Sequence, residues 1–228
     1  MKINKPMRHM NQSCLRRVPR GFTLVELLTV IAVITILMTA GAIGLNALAG
    51  GKGTTNAVAQ AEAVFNFARQ VAVANNTRSR VLVPKSIGGD DRHPDALRRI
   101  IVAYQDPDSD TWQISDRGEF LPANVYFSQD YSLVDGSPIT PINMTFPGRS
   151  AFDGRYFVYE FNSEGISANP GAGFVVGSGV WPPNETKPRV SRKGERDFGG
   201  FVVWRNGRTS LYRSPSQIPN LPTTVTTF

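Results

Sequence analysis

The chain has 228 residues, with 25 Lys and Arg against 18 Asp and Glu, and a formal net charge of +7. Its hydrophobic content of 41% and aromatic content of 10% are sufficient for a buried core, which excludes a chain that is disordered throughout. The single cysteine, Cys14, excludes an intramolecular disulfide and a CxxC redox motif, and two histidines offer little for metal or catalytic sites. We therefore expect no cofactor, no metal site and no catalytic residues.

The positive charge is concentrated at the N-terminus. Residues 1–21 contain six basic residues and no acid, whereas the other 207 residues carry 19 basic and 18 acidic groups. The six are Lys2, Lys5, Arg8, Arg16, Arg17 and Arg20. The whole-chain charge suggests an anionic partner, but its distribution assigns most of the excess to a short N-terminal segment.

An apolar run of 28 residues, 22–49, follows and contains one charged residue, Glu26. A helix of this length spans about 42 Å, more than the roughly 30 Å of a bilayer's hydrocarbon core. The basic residues before the run place the N-terminus in the cytoplasm by the positive-inside tendency. The sequence therefore predicts a single-pass membrane protein whose N-terminus lies in the cytoplasm and whose C-terminal part is exported.

The start of this run differs from an ordinary secretory signal, which has a shorter apolar stretch followed by a small-residue cleavage site. Here the small residue, Gly21, stands before the run. Glu26 has two interpretations. It is either hydrated at headgroup level, or it neutralises the amine of Phe22 on a neighbouring subunit after cleavage behind Gly21, because a carboxylate within the membrane requires a partner.

Residues 20–26, with the sequence RGFTLVE, resemble the class III signal of type IV prepilins and type II secretion pseudopilins. This resemblance implies that a prepilin peptidase cleaves after Gly21 and that Phe22 becomes N-methylated. It also implies that Glu26 is required for assembly with other pilin or pseudopilin subunits through the N-terminal helix. The leader of 21 residues is longer than that of many pilins.

A second helical segment follows the apolar run. Residues 50–53, Gly-Gly-Lys-Gly, predict a flexible point, and residues 50–76 as a whole are expected to form that point and an amphipathic helix. Residues 75–76, Asn-Asn, are a signal for the end of this helix. Within it, apolar residues recur at spacings of three and four: Val58, Ala61, Phe65, Ala68 and Ala72. This stripe predicts packing on a sheet, with a helical seam to another subunit as the alternative.

Residues 77–228 predict a β-rich exported domain, because stretches rich in Val, Ile and aromatic residues alternate with turn clusters. The stretches are 80–84, 98–104, 111–114, 124–127, 156–161, 173–176, 201–204 and 209–212, with Asn206-Gly207 predicting a hairpin. The expected fold is α+β: a long N-terminal helix packed on an antiparallel sheet. Residues 67–72, 80–83, 161–165 and 204–208 resemble segments of H-type minor pseudopilins and FimT-like minor pilins. Residues 181–196 are an insertion in this pattern.

The exported part carries an uneven charge. Residues 90–135 have a net charge of −6, and residues 187–213 have a net charge of +6. The basic stretch is interpreted either as a solvated surface that docks on an acidic neighbour or as a DNA-binding region. The resemblance to FimT-like pilins favours Arg205, Arg208 and Arg213 as candidate DNA-binding residues, with DNA as the alternative partner.

One weaker pattern remains. Asp106, Asp108 and Asp110 have the spacing that opens a calcium loop, but Thr111 and Arg117 replace its glycine and its glutamate, which favours a solvated turn. The sequence thus predicts a non-enzymatic pilin-like structural subunit, most closely a minor pseudopilin. The alternatives are a DNA-binding minor pilin and an enzyme held by an uncleaved signal anchor.

Overall fold

The computed structural model describes residues 23–190, 197–226 and 228, and of residues 36–52 it describes the backbone alone. The chain divides into two compact units with a boundary between Leu45 and Asn46. The leader predicted at residues 1–21 lies outside the described residues.

One long helix, α1 (Leu24–Ala74), begins at the N-terminal side of the described chain. Residues 50–53, whose three glycines predict a flexible point, are part of this helix. A glycine inside a helix costs only about 1 kcal/mol relative to alanine. Packing of the turns that follow, where Ala57 and Ala61 are fully buried, can offset that cost.

The helix ends where the asparagine pair predicts. Asn76 adopts a left-handed conformation with φ of 48°. The N–H of Thr77 donates to the carbonyl of Ala72 at 3.1 Å, and the N–H of Asn76 donates to that of Val73 at 3.3 Å. These two bonds form a Schellman motif, which satisfies carbonyl groups of the last turn and stops the helix.

A six-stranded antiparallel sheet follows the helix. Its strands are β1 (Ser79–Ile87), β2 (Arg99–Gln105), β3 (Trp112–Ile114), β4 (Glu119–Phe120), β8 (Ile142–Met144) and β9 (Gly154–Phe161). Their order is β3–β2–β1–β9–β8, with β4 also paired to β2. At the centre of the sheet, Val81 of β1 lies between Val102 of β2 and Tyr159 of β9.

A second antiparallel sheet has the order β11–β10–β12–β13, with β5 also paired to β10. Its strands are β5 (Val125–Phe127), β10 (Ala172–Val180), β11 (Arg189–Val190), β12 (Phe198–Val203) and β13 (Thr209–Leu211). Strands β6 (Leu133–Val134) and β7 (Ser137–Pro138) form a separate pair, and two short 3-10 helices span Ser150–Phe152 and Pro215–Gln217.

The core lies between the second half of α1 and both sheets. All five residues of the predicted apolar stripe are at most 8% exposed, which confirms their interpretation as core. Phe65 is the centre of this contact, because its ring meets Tyr159 of β9, Phe174 of β10 and Phe201 of β12 at centroid distances of 5.0–5.3 Å. The helix therefore joins the two sheets through one aromatic cluster.

The α+β class is confirmed: antiparallel sheets pack against an N-terminal helix, an arrangement consistent with a pilin-like fold. Each of the eight predicted stretches overlaps an observed strand. Five short strands, β4, β6, β7, β8 and β11, are additional to the prediction.

Candidate functional site

The first turn of α1 is closed by a reciprocal contact between Thr23 and Glu26. The N–H of Thr23 donates to Glu26 Oε2 at 3.0 Å, and its hydroxyl donates to the same oxygen at 2.9 Å. In return, the N–H of Glu26 donates to Thr23 Oγ1 at 3.2 Å. This is a capping box, which satisfies N–H groups that the start of a helix leaves without partners. Glu26 therefore has a role in its own helix that sequence reasoning missed, although the signal, T-x-x-E before an apolar run, is in the sequence.

The turns that follow expose apolar side chains in every direction. Between Leu24, which is 80% exposed, and Ile34, which is 48% exposed, no residue is buried. A helix that is apolar all round is typical of segments covered by lipid or by other helices. In the part of the chain whose side chains are described, no helix is both long enough and apolar enough to cross a membrane. The predicted membrane segment, residues 22–49, extends beyond that part.

The predicted cleavage and methylation site, Gly21 and Phe22, lies outside the described residues. The described chain begins one residue later, at Thr23. Of the N-terminal site residues predicted from the sequence, Glu26 alone has a described geometry, and its side chain is both hydrogen-bonded and exposed.

Arg205 and Arg208 lie on one hairpin loop, residues 204–208, which we call the arginine loop. It connects β12 to β13, and the N–H of Gly207 donates to the carbonyl of Trp204 at 2.9 Å. Gly207 has a φ of +72°, which favours glycine and confirms the hairpin predicted from Asn206-Gly207. Trp204 is 50% exposed and both arginines are exposed. Within the described chain, neither guanidinium group has an ion pair.

The arginine loop packs closely against α1 and the neighbouring turn. A Cβ atom added at Gly207 would lie 2.3 Å from the carbonyl oxygen of Gly165 and 2.7 Å from Cδ of Arg69. The same Arg69 side chain would lie 3.0 Å from a Cβ atom at Gly165. Two glycine turns therefore rest on one arginine of α1, and this contact holds the loop beside the last turns of that helix.

Arg213 lies elsewhere. The chain turns back after the arginine loop, so that Leu211 pairs with Phe201 and the N–H of Tyr212 donates to the carbonyl of Gly200. Four residues lie between Arg208 and Arg213, three of them in β13. At about 3.3 Å per residue, the five steps from Arg208 to Arg213 span roughly 16 Å of extended chain. The three candidate DNA-binding arginines therefore do not converge on one point.

The described start of the basic stretch, residues 187–190, lies at the opposite end of β10 from the arginine loop. Val190 pairs with Gly179 near the end of this strand, whereas the residue before the arginine loop, Val203, pairs with Ala172 at its start. Two basic side chains of this part are paired with acids: Lys187 Nζ lies 2.6 Å from Asp130 Oδ2, and Arg189 pairs with Glu185. Arg192, Lys193 and Arg196 lie outside the described residues.

Residues 181–190 are held by an arginine that sequence reasoning did not connect with them. The Nη1 atom of Arg92 donates to the carbonyl oxygens of Pro182, Pro183 and Glu185. The guanidinium group also lies 5.7 Å from the ring of Trp181. Since Arg92 is about 90 positions away in sequence, no local pattern could have indicated this contact.

The aspartate-rich loop behaves as a turn. The N–H of Asp108 donates to Asp106 Oδ1 at 3.0 Å, and this bond, with a further one from Ser109, holds the pKa of the Asp106 carboxyl below its ordinary value. Among the described residues, no group of three or more His, Cys, Asp or Glu side chains could hold a metal ion. The Asp106 carboxylate thus accepts hydrogen bonds from its own turn, and that of Asp110 accepts one from Gln105.

Comparison with known proteins identifies the N-terminal segment. Residues 16–42 match the family described as the prokaryotic N-terminal methylation motif. This match spans Gly21, Phe22 and Glu26, and it supports the class III signal of the type IV pilin-like family. No curated protein and no solved structure gives a significant match to the chain.

Proposed function

We propose that this chain, a type IV pilin-like precursor with an N-terminal methylation motif, is a minor pseudopilin of a type II secretion-like system. The observation that carries the proposal is the motif at residues 16–42, which surrounds a glycine, a phenylalanine and one glutamate in the order such signals require. The proposed role is structural: the subunit assembles with other pilin-like subunits into a filament or its tip.

The proposed maturation follows from the order of the segments. The basic residues of the leader hold the N-terminus in the cytoplasm while residues 22–49 enter the bacterial cytoplasmic membrane. Prepilin peptidase then cleaves after Gly21 and Phe22 is N-methylated. The β-rich domain of residues 77–228 lies outside the cytoplasm. This arrangement is a single-pass precursor whose first apolar helix becomes the assembly segment.

The geometry of Glu26 supports a double role in assembly. Both hydrogen bonds from Thr23 go to one carboxylate oxygen, Oε2. An ionised carboxylate accepts about four hydrogen bonds, so Oε1 retains its capacity while the capping box is intact. Glu26 can therefore cap its own helix and neutralise the terminal amine of a neighbouring subunit.

Two substitutions at Glu26 separate these roles. Glutamine preserves the capping box but removes the charge, whereas alanine removes both. We expect Glu26→Gln and Glu26→Ala to be cleaved at normal levels and to be equally deficient in filament assembly, measured by cross-linking of sheared filaments. If Glu26→Gln assembles as the unsubstituted chain does, the charge is unnecessary and only the cap matters.

The alternative function is DNA capture by a minor pilin. It is supported by Arg205 and Arg208 on one exposed loop beside the half-exposed Trp204, since arginine and aromatic side chains together bind single-stranded nucleic acid. DNA retention by the detergent-solubilised chain that falls steeply with salt, and that Arg205→Ala with Arg208→Ala removes, would favour this alternative. The pseudopilin proposal predicts no retention even at low salt.

A further inference from the structure

A groove with an apolar floor lies between α1 and the β3–β4 region. Ala63, Val64, Phe67 and Val102 line its floor, and its volume is about 390 Å³. Phe67 is 40% exposed, in contrast to Phe65, which is fully buried two residues earlier. A half-exposed aromatic ring in a concave apolar surface is typical of a binding site for an apolar side chain. We call this surface the α1–β4 groove.

Two carboxylates stand at the edge of the α1–β4 groove. Asp116 Oδ1 accepts the N–H of Gly118 at 2.7 Å, and Glu119 Oε2 accepts from the side chain of Gln60 at 3.1 Å. Both residues are exposed, and neither has an ion-pair partner within the described chain. The groove therefore presents an apolar floor with a negative edge, which favours an apolar side chain accompanied by positive charges.

The arginine loop has that combination. Trp204 offers a large half-exposed ring, and Arg205 and Arg208 are exposed in the same five-residue turn. Tryptophan and arginine are the side chains that most often contribute the binding energy of protein interfaces. The loop therefore matches the groove in two respects: its exposed ring suits the apolar floor, and its arginines suit the two carboxylates at the edge.

The arginine loop is on the wrong side of α1 to fill the groove of its own chain. The loop rests on Arg69, whereas the groove contains Phe67. Two helical positions are separated by roughly 200° about the helix axis, so these side chains point to nearly opposite sides of α1. An arginine loop that docks in this groove must therefore belong to another molecule.

We propose that the arginine loop of one copy of this chain docks in the α1–β4 groove of a second copy. Because the two surfaces differ, the contact is heterologous and joins two copies head to tail. The inference rests on the proposed function as a filament subunit and adds the partner and both contact surfaces.

Cysteine cross-linking in membranes tests this contact. Full-length chains with Cys14→Ser, produced together with prepilin peptidase, carry either Ala63→Cys with one epitope tag or Asn206→Cys with another. We expect mild oxidation to produce a disulfide-linked pair carrying both tags, because residue 63 lies in the groove and residue 206 in the loop. Cross-linking of either variant with itself should be much weaker. Asn143→Cys, an exposed position on β8, is the matched control.

Reversing the charges on the two surfaces provides a second test. Asp116→Lys with Glu119→Lys in the chain that carries Ala63→Cys should lower the yield of the disulfide-linked pair by at least about tenfold, since like charges across an interface cost several kcal/mol. Adding Arg205→Glu with Arg208→Glu to the chain that carries Asn206→Cys should restore that yield. All variants are exposed substitutions, and retained protease resistance checks that they fold.

Three outcomes overturn the inference: equal cross-linking at Asn143→Cys, insensitivity to charge reversal, or capture of the loop by a subunit of another sequence or by DNA in place of a second copy. The mature N-terminus is read from the same membranes. If Phe22 is the first residue but the cross-link is absent, docking is wrong and the proposed function stands. If the leader is intact, the proposed function fails.

Discussion

Phe65 is the residue on which the contact between helix and sheets depends most. It is fully buried, and four aromatic rings surround it at 5.0–6.3 Å: Tyr159, Phe161, Phe174 and Phe201. All four rings are arranged edge to face around it, in two different sheets, and such pairs add to the free energy gained by burial alone. One side chain of α1 thus packs against both sheets.

Phe65→Ala should reduce the free energy of unfolding by roughly 3–5 kcal/mol, because it leaves a cavity that rigid rings cannot fill. Phe67→Ala is the matched control, since the same substitution at a 40% exposed position of the same helix should cost on the order of 1 kcal/mol. Urea unfolding of the detergent-solubilised chain measures both. Similar losses for the two variants would contradict the central position of Phe65.

Tyr159 is expected to make the free energy of unfolding depend on pH in the alkaline range. It is buried, its hydroxyl donates to the carbonyl of Gly173 at 2.8 Å, and burial raises the pKa of its phenol well above the ordinary value. Burial also raises the pKa of Tyr156 and Tyr212. These groups stay protonated in the folded chain at a pH where the unfolded chain has begun to release their protons.

The free energy of unfolding should therefore be insensitive to these tyrosines below about pH 9 and should fall as the pH rises above about 10, the ordinary tyrosine pKa. The slope approaches roughly 1.4 kcal/mol per pH unit for each tyrosine that remains protonated. Tyr159→Phe should lower stability at neutral pH by about 1–2 kcal/mol and should reduce the alkaline slope. Unfolding curves between pH 7 and 11 measure both, and an unchanged slope would contradict this interpretation.

Among the secondary-structure elements, β10 depends on glycine to make room for aromatic side chains. A Cβ atom at Gly177 would lie 2.5 Å from ring atoms of both Phe198 and Phe228. At Gly179 it would lie 2.4 Å from Phe228, whose own side chain is 1% exposed. The glycines of this strand thus accommodate the buried ring of Phe228.

Gly177→Ala should destabilise the protein by roughly 1–3 kcal/mol through overpacking. Gly173→Ala, in the same strand, is the control, because the nearest atom to its added methyl group is the Tyr212 hydroxyl at 3.3 Å. Thermal unfolding of the two variants should separate them by several degrees. Equal melting temperatures would show that the Phe198 and Phe228 rings relax freely.

Local sequence patterns predict the longer elements and miss the short ones for a physical reason. Strands such as β1 and β9 carry alternating or continuous apolar residues, so burial fixes both their type and their extent. By contrast, β7 consists of Ser137 and Pro138, and β11 consists of Arg189 and Val190. Pairing with a neighbour defines these short strands, and their residue types carry no strand signal.

The features of the candidate site also fall into two groups, those that a local sequence pattern predicts and those that depend on contacts between distant segments. The capping box and the hairpin of the arginine loop are local patterns, and both can be predicted from a few consecutive residues. The separation of Arg213 from Arg208, the Lys187–Asp130 pair and the contacts of Arg92 depend on how distant segments meet. A count of charges along the sequence could not show that Lys187 and Arg189 lie at the opposite end of β10 from the arginine loop.

At the scale of the whole molecule, the proposed maturation changes the electrostatic character of the protein. Six of the 25 basic residues belong to the leader, and residues 22–228 carry 19 basic and 18 acidic groups. The mature subunit is therefore close to neutral. Its remaining charge contrast, between the arginine loop and the edge of the α1–β4 groove, is suited to directing contacts between subunits and offers little for a general attraction to polyanions.

Mass spectrometry of the N-terminus of the membrane-inserted chain, produced with and without prepilin peptidase, is the most direct test of the central claim. The account predicts a mature protein that begins at N-methylated Phe22 when the peptidase is present, and an intact leader when it is absent. Gly21→Trp should prevent cleavage by placing a bulky side chain at the cut site. An intact leader in the presence of active peptidase, or a first residue other than Phe22, would contradict the account.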